Sequence, residues 1–377
     1  MTGDGVGGSE LYPAERLAVA RDATARAGLD ALLLTPGAQL RYLTGYAALA
    51  LPRLTCLVLP VHGDPVLIVP ELERPVAEAS PAGRLGLEIL SWPETADPYR
   101  LVAQRLHRPA RVGLANRMWA EQVLRLRAAL PEAEQVLAGD VLGELRVRKS
   151  AAEVAALRRA GAAIDRVHAR MGEWLRPGRS EREVARDVGQ AILDEGHAVV
   201  NFVIVAAGPN AASPHHHTGD RLLEPGDVVV VDIGGTTEDG YCSDSTRTYA
   251  LGHAPGEFVE YYAVLQRAQQ AAVGAVRPGV PAESVDAAAR DLISAAGFGD
   301  CFVHRTGHGI GLEEHEEPWI VAGNGTLLEA GMTFSVEPGI YLRQRHGARI
   351  EDIVVCTGDG VERLNTLARD LVVLPER

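Results

Sequence analysis

The feature that most constrains this chain is a repeat of itself. Arg176-Pro177-Gly178 opens a segment that ends at Gly196, and Arg277-Pro278-Gly279 opens one of equal length that ends at Gly297. In each, a helical pattern follows the turn (EREVARDVGQAILDEG and AESVDAAARDLISAAG), with Val184 matching Val285 and Ile192 matching Ile293. Farther on, EPGDVVVVDIG (Glu224 to Gly234) aligns with EAGMTFSVEPG (Glu329 to Gly339), and both read E-x-G-x-x-x-x-V-[D/E]-x-G. A duplicated unit of helix, helix and hairpin can pack about a pseudo-twofold axis as an α+β domain. Each half then brings one acidic residue to the end of an apolar strand.

Ahead of the repeat the pattern changes. After a Gly-rich, frayed start (MTGDGVGGSE), Ala14 to Gly28 has helical spacing and Leu29 to Thr35 (LDALLLT) reads as a buried strand. Short apolar runs follow at Leu54 to Pro60 and Pro65 to Pro70, then a helical stretch between Pro98 and Arg108. The expectation is an α/β domain over residues 1–150 and the duplicated domain over 151–377. The junction is polar Arg146 to Ser150, beyond which a long helix begins.

Charge narrows the partners. With 50 acidic against 37 basic residues the net charge is −13, which disfavours nucleic acid and anionic lipid and points to small molecules or peptides. Cys56, Cys242, Cys301 and Cys356 form no C-x-x-C pair, so free buried thiols in a reducing compartment are expected. The N-terminal residues show no secretion-signal pattern, and no stretch reaches the roughly 18 apolar residues of a membrane span. The cytoplasm is therefore the expected location.

Within this ordinary composition, the acids of the repeat stand out. Asp232 sits near the end of an almost wholly apolar strand, where an unpaired carboxylate would cost several kcal/mol. The chain turns at Glu238-Asp239-Gly240 and returns through Tyr241 to Thr248 with alternating pattern, so Asp244 is expected to face Asp232 across a hairpin. The second copy repeats the plan with Glu337, alternating with Thr333 and Ser335, and with Glu351. Four carboxylates at one centre need a counter-charge of comparable size, and two divalent cations held by oxygen ligands supply it. His304, His308 and His315 lie in a Gly-rich run, and His215, His216 and His217 form a triplet upstream. A mixed carboxylate and imidazole set suits manganese, cobalt, zinc or iron, and a pair of such ions activates water at neutral pH. Taken singly, each element has an ordinary explanation: Asp232 as a turn former, the triplet as a solvated loop, Arg349 with Glu351 as a cross-strand ion pair. Their conjunction does not.

At these residues the chain resembles the creatinase and aminopeptidase P superfamily, the pita-bread fold of Xaa-Pro aminopeptidases, prolidases and methionine aminopeptidases. The strings that carry the resemblance are PHHHTGDRLLEPGDVVVVDIGG, GYCSDSTRTY, HRTGHGIGLEEHEEP, MTFSVEPGIY and ARIEDIVV, which span most of the chain from Ala151 onward. The Tyr42-Leu-Thr-Gly-Tyr46 segment and the α/β reading of residues 1–150 are similar to the creatinase-type N-terminal domain of the proline-specific members. The resemblance implies Asp232, Asp244, His308, Glu337 and Glu351 as ligands of two divalent metals, with manganese the first choice and cobalt, zinc or iron also fitting. It implies Asp244 and Glu351 as the bridging pair and Glu337 as the group that also moves protons during attack on the carbonyl before proline. It further implies substrate contacts for His215 and His315, outer positions for His304 and Arg349, and a homodimer.

Two departures accompany the resemblance. Asp232 and Asp244 are 12 apart where 11 is the usual spacing, which places one extra residue at the turn tip and leaves the strand register intact. In several prolidases an Arg just after the His-Glu-x-Pro string, or in the loop before the Glu strand, holds the free carboxylate of a dipeptide. Here those places hold Trp319 and Val321 to Leu328, without Arg. The expectation is an Xaa-Pro aminopeptidase acting on longer peptides with proline second, and the alternative is an Xaa-Pro dipeptidase (prolidase), with Arg343 or Arg345 as the substitute cation. A small-molecule hydrolase or lyase and a metal-free binding module of the same fold stand behind these, because both have relatives that lost the acidic set retained here.

Overall fold

The computed structural model describes residues 11–376, and the Gly-rich start read above as frayed lies outside the described residues. The chain divides into two compact units, Met1–Arg146 and Val147–Arg377. Residues 147–150 go with the second unit because Arg148 bridges to Met332 and the Lys149 N–H donates to the Gly331 carbonyl at 2.8 Å.

The first unit alternates helix and strand: α1 (Glu15–Arg26), β1 (Ala31–Leu34), α2 (Ala38–Thr44), β2 (Cys56–Pro60), β3 (Val66–Pro70), α3 (Arg74–Ala79), β4 (Glu88–Trp92), α4 (Pro98–Gln104), β5 (Arg111–Leu114), α5 (Ala120–Ala129), β6 (Glu134–Leu137) and α6 (Gly139–Arg146). Its strands form one mixed sheet in the order β4-β3-β2-β1-β5-β6. The central strands β1, β2 and β3 are buried along their whole length, which is why they read as unbroken apolar runs. Helix α4 stops at Gln104, short of the Arg108 limit expected, and Arg108 adopts φ +44° directly before Pro109. A residue preceding proline is disfavoured in helical conformation.

The second unit opens with α7 (Ala151–Ala169), whose start is fixed by a capping box between Ser150 and Glu153. Its first half continues with α8 (Glu181–Asp194), capped the same way by Ser180 and Glu183, then β7 (His197–Ala207), β8 (Val228–Thr237) and β9 (Cys242–Leu251). The second half comprises α9 (Gly256–Ala275), α10 (Ala282–Ala295), β10 (Gly307–Gly309), β11 (Glu316–Ile320), β12 (Thr333–Val336), β13 (Gly339–Leu342), β14 (His346–Arg349), β15 (Asp352–Cys356), β16 (Val361–Arg363) and β17 (Val372–Leu374). The sheets run β17-β9-β8-β7, β11-β10-β12-β15-β16 and β13-β14.

The duplication is visible bond by bond. Ser180 bridges to Leu222 and Pro281 to Leu327, while the Gly178 and Gly279 N–H groups donate to the Leu223 and Leu328 carbonyls, each at 2.8 Å. Val184 and Ile192 are fully buried in one core, and their partners Val285 and Ile293 are fully buried in the other. Gly178 and Gly279 have φ of +87° and +84°, the left-handed region in which a side chain is strained. All four cysteines are free, and Cys301 is half-buried rather than buried as expected.

No atom lies within 4 Å of a Cβ added at either Gly178 or Gly279, so backbone strain is the only cost of adding one. Gly178→Ala and Gly279→Ala are each expected to lower stability by about 1 kcal/mol. Chemical denaturation of the two variants checks this, and clearly unequal losses would show that the two turns are not equivalent.

Candidate metal centre

The hairpin of β8 and β9 sets the first two acids. Its ladder runs without a break from Val228↔Ala250 to Thr236↔Cys242, and the extra residue is taken up at the turn, where Gly240 has φ +90°. The register corrects one expectation: Asp232 pairs with Thr246, and Asp244 pairs with Gly234. The two acids therefore share a face one diagonal step apart instead of standing opposite each other. The other two acids flank the β12/β15 ladder. Glu337 follows the last residue of β12 and donates its N–H to the Thr306 carbonyl, and Glu351 precedes β15 and donates its N–H to the Thr246 carbonyl. That last bond, with Thr248 and Arg349 hydrogen-bonded in both directions, joins the two halves of the repeat at the acids.

These residues line one cavity of about 440 Å³. Asp232, Asp244, Glu337, Glu351, His308, His315, His215, His304 and Arg349 all border it, together with Phe202, Ile204, Pro214, Arg305 and Glu314. Thus the nine residues to which the resemblance gives a ligand, substrate or outer position meet the same space. Arg343 and Arg345 do not line it, and Arg345 is committed to Glu257. Among the described residues, donor atoms lie within 4.8 Å of one another in three sets: Asp232, Asp244 and Glu351; His308, Glu337 and Glu351; and Asp244, His308 and His315. Glu351 belongs to the first two sets and Asp244 to the first and third.

The electrostatics ask for cations. Burial, reinforced by the charges of Glu351, Asp232 and Glu337, pushes the Asp244 carboxyl well above its usual range, and burial with Glu337 and Asp232 does the same to Glu351. Glu337 goes the other way. Its burial is outweighed by the hydrogen bond and charge of His308, whose Nε2 is 3.2 Å from Glu337 Oε1, and the carboxyl is held down at about 2. The His308 Nδ1 is 3.1 Å from the Gly309 carbonyl, an acceptor only, so Nδ1 carries the proton. Nε2 is then the atom turned toward Glu337 and, at 3.7 Å, Asp244, and a proton on it makes the hydrogen bond and charge that hold Glu337 down. A lone pair aimed at carboxylates is stable only with a proton or a metal ion between them, and the oxygen and nitrogen donor set fits divalent transition metals.

A polar network holds these donors. Arg349 Nη2 donates to Asp232 Oδ2 at 2.6 Å, its Nε to the Thr246 hydroxyl at 3.1 Å, and its Nη1 to the Tyr341 hydroxyl at 2.8 Å. Thr246 Oγ1 is 2.9 Å from Asp232 Oδ1 and 2.7 Å from Glu351 Oε2. Tyr341 in turn is 2.9 Å from His304 Nε2, while His304 Nδ1 faces the Arg305 carbonyl, so the tyrosine donates to a neutral imidazole. Burial, with the charge of Arg349, lowers His304 accordingly. The histidine triplet divides its roles: His215 borders the cavity, His216 Nε2 is 2.8 Å from fully buried Glu181, and His217 is exposed. Glu181 also accepts from the N–H groups of Ala207 and Gly219 and from Asn210 Nδ2. Sequence reasoning missed Thr246, Tyr341, Glu181 and Arg305. Three of these lie inside the strings already singled out, but nothing in a string says which polar residue turns inward.

A family model described as metallopeptidase family M24 matches residues 155–358, and one described as the creatinase/prolidase N-terminal domain matches residues 16–148. The chain belongs to metallopeptidase family M24. It is similar to the probable dipeptidase PepE of Mycobacterium tuberculosis, at 53% identity over 97% of this chain and 98% of that one. It is also similar to an Xaa-Pro dipeptidase of Lactobacillus delbrueckii subsp. lactis, at 34% identity over 92% and 96%. The crystal structure of dipeptidase PepE from Mycobacterium ulcerans superposes with a TM-score of 0.90, at 53% identity, over 97% of this chain and 99% of that one. As an M24 metallopeptidase the chain is an enzyme that works with divalent metal ions. Among its described residues, no helix is long and apolar enough to cross a membrane.

Asp244 and Glu351 each belong to two of the donor sets, so removing either should weaken more than one ion. Asp244→Ala and Glu351→Ala are expected to lose at least one metal equivalent and to abolish hydrolysis. Elemental analysis of the purified variants checks this, and unchanged metal content with near-normal turnover would remove Asp244 and Glu351 from the metal-holding set.

Proposed function

We propose that this M24 enzyme is an Xaa-Pro dipeptidase with a dinuclear metal centre. The observation that carries the proposal is the convergence of four carboxylates and His308 with three further histidines around one cavity. The Trp319 argument from the sequence favoured longer peptides. The relatives named dipeptidase and Xaa-Pro dipeptidase, aligned over nearly their full length, support the shorter substrate.

In this reading Asp232, Asp244, His308, Glu337 and Glu351 would together hold two divalent ions. Manganese is the first choice of metal, with cobalt, zinc or iron as alternatives. The ions supply Lewis-acid polarisation of the scissile carbonyl and a water acidic enough to react at neutral pH. Glu337, at the edge of the cavity, takes the proton of the attacking water and passes it to the departing proline nitrogen. His215 and His315 hydrogen-bond the substrate, and the developing negative charge at the carbonyl strengthens those bonds. Burial, followed by the charge of His308, lowers His315 to about 4. Arg349 keeps Asp232 oriented, and the His304, Tyr341 and Arg349 series keeps that guanidinium in place. A homodimer and a cytoplasmic location belong to the same proposal.

The experiment is a product assay on the metal-loaded enzyme with matched Xaa-Pro and Xaa-Pro-Yaa peptides. The dipeptide is expected to be favoured in kcat/KM by tenfold or more, about 1.4 kcal/mol of transition-state discrimination. The reverse order would return the aminopeptidase reading. In a second assay, His315→Ala is expected to lower turnover by about 10²-fold with metal content unchanged, the size of one lost transition-state donor. Loss of metal instead would make His315 a ligand.

A further inference from the structure

A dipeptide that ends in proline presents a free carboxylate one residue beyond the scissile bond. An enzyme that selects it needs a cation in the cavity that no protein carboxylate has already claimed. Two arginines line the cavity. Arg349 is almost fully buried and bound to Asp232, Thr246, Tyr341 and the Pro214 carbonyl, so its donors are occupied. Arg305 is different. It is half-buried, and among the described residues its guanidinium has no carboxylate partner and no hydrogen-bond acceptor.

Its position is nevertheless defined. The guanidinium carbon lies 4.3 Å from the centroid of the Trp319 ring. Stacking on an aromatic face holds the plane of the group and leaves its N–H donors pointing outward along the edge, the geometry that binds both oxygens of a carboxylate. The backbone beneath is pinned on both sides of the residue. Arg290 donates to the His304 carbonyl at 2.8 Å, and the Thr306 N–H and hydroxyl both donate to Asp286, at 3.2 and 2.7 Å. Arg290 and Asp286 are themselves ion-paired at 2.8 Å. The Thr306 N–H also lies 3.0 Å from the Ile320 carbonyl, and His308 pairs with Trp319 across β10 and β11. The platform and the cation are thus fixed to the same pair of strands. Trp319 stands where the sequence suggested an uncharged wall, and in the structure that wall carries a positive charge.

The geometry points to Arg305, stacked on Trp319, as the residue that holds the C-terminal carboxylate of the Xaa-Pro dipeptide and so sets the length of peptide accepted. This inference rests on the dipeptidase reading and names the residue behind it. The indole ring is a positioning group, and the guanidinium makes the contact.

The test compares an Xaa-Pro dipeptide with its C-terminal amide on the metal-loaded enzyme, which removes the charge and keeps the shape. In the wild type kcat/KM is expected to favour the free acid by at least tenfold. In Arg305→Gln that ratio is expected to fall toward one, the loss lying chiefly in KM because the contact is remote from the bond that breaks. Inhibition by L-proline relative to L-prolinamide, a readout without turnover, is expected to lose its preference for the acid in parallel. Arg305→Lys keeps the charge without the fork and is expected to fall between. Metal content and thermal unfolding of each variant separate a lost contact from a lost fold, and if the glutamine variant does not fold the lysine variant carries the comparison. A wild type that treats acid and amide alike overturns the dipeptidase reading itself. A wild type that discriminates, with Arg305→Gln or Arg305→Lys discriminating equally well, leaves that reading standing and overturns the role of Arg305.

Discussion

Four carboxylates forced into one desolvated space are the constraint around which the second unit is built. Each of Asp232, Asp244, Glu337 and Glu351 would be costly to bury alone, and together they repel. The chain meets this with a single guanidinium, Arg349, which binds Asp232, and with Thr246, whose hydroxyl sits between Asp232 and Glu351. One positive charge does not balance four negative ones, and burial together with the neighbouring carboxylates raises the carboxyls of Asp244 and Glu351. The fold thereby holds its donors in a geometry that divalent ions relieve, and the duplicated architecture is the means of bringing two acids from each half to the same point.

Much of this was legible because the acids violate their surroundings. Asp232 interrupts an apolar run, Glu337 does so at the matching position of the second copy, and the two copies align over glycines that the turns require. Those glycines explain why the repeat survives in the sequence at all: Gly178 and Gly279 share a backbone conformation that other residues resist, whereas the helices between them keep only a burial pattern. Alternation puts Asp244 opposite Asp232, whereas the register puts Thr246 there and sets Gly234 opposite Asp244. Alternation predicts which face a residue occupies, but the pairing partner is fixed by the register of the whole ladder, which alternation does not give.

What the sequence hid is the chemistry made by pairs distant along the chain. Trp319 read as an apolar replacement for a cation because it stands directly after the His-Glu-x-Pro string, where several prolidases carry Arg. The residue on its ring face is Arg305, brought there by the pairing of β10 with β11. Tyr341 likewise sits in a string noted for Glu337, yet it serves His304 and Arg349. The strings that carry the resemblance give the proposed metal donors in order, and the groups that orient them are scattered among residues with no pattern of their own.

The loop that carries His215 shows how the scaffold treats a group that borders the cavity. Its residues leave the sheet after Ala207 and return before Val228, a length of chain that would sample many shapes if left alone. Glu181, buried in the first turn of α8, gathers the Ala207 N–H, the Asn210 amide, the His216 imidazole and the Gly219 N–H onto one carboxylate. Ordering is therefore completed when the chain folds, and a peptide arriving at the cavity does not have to organise the loop before using it. The middle histidine of the triplet is in this sense an anchor for the first, and three identical side chains in a row occupy three different environments.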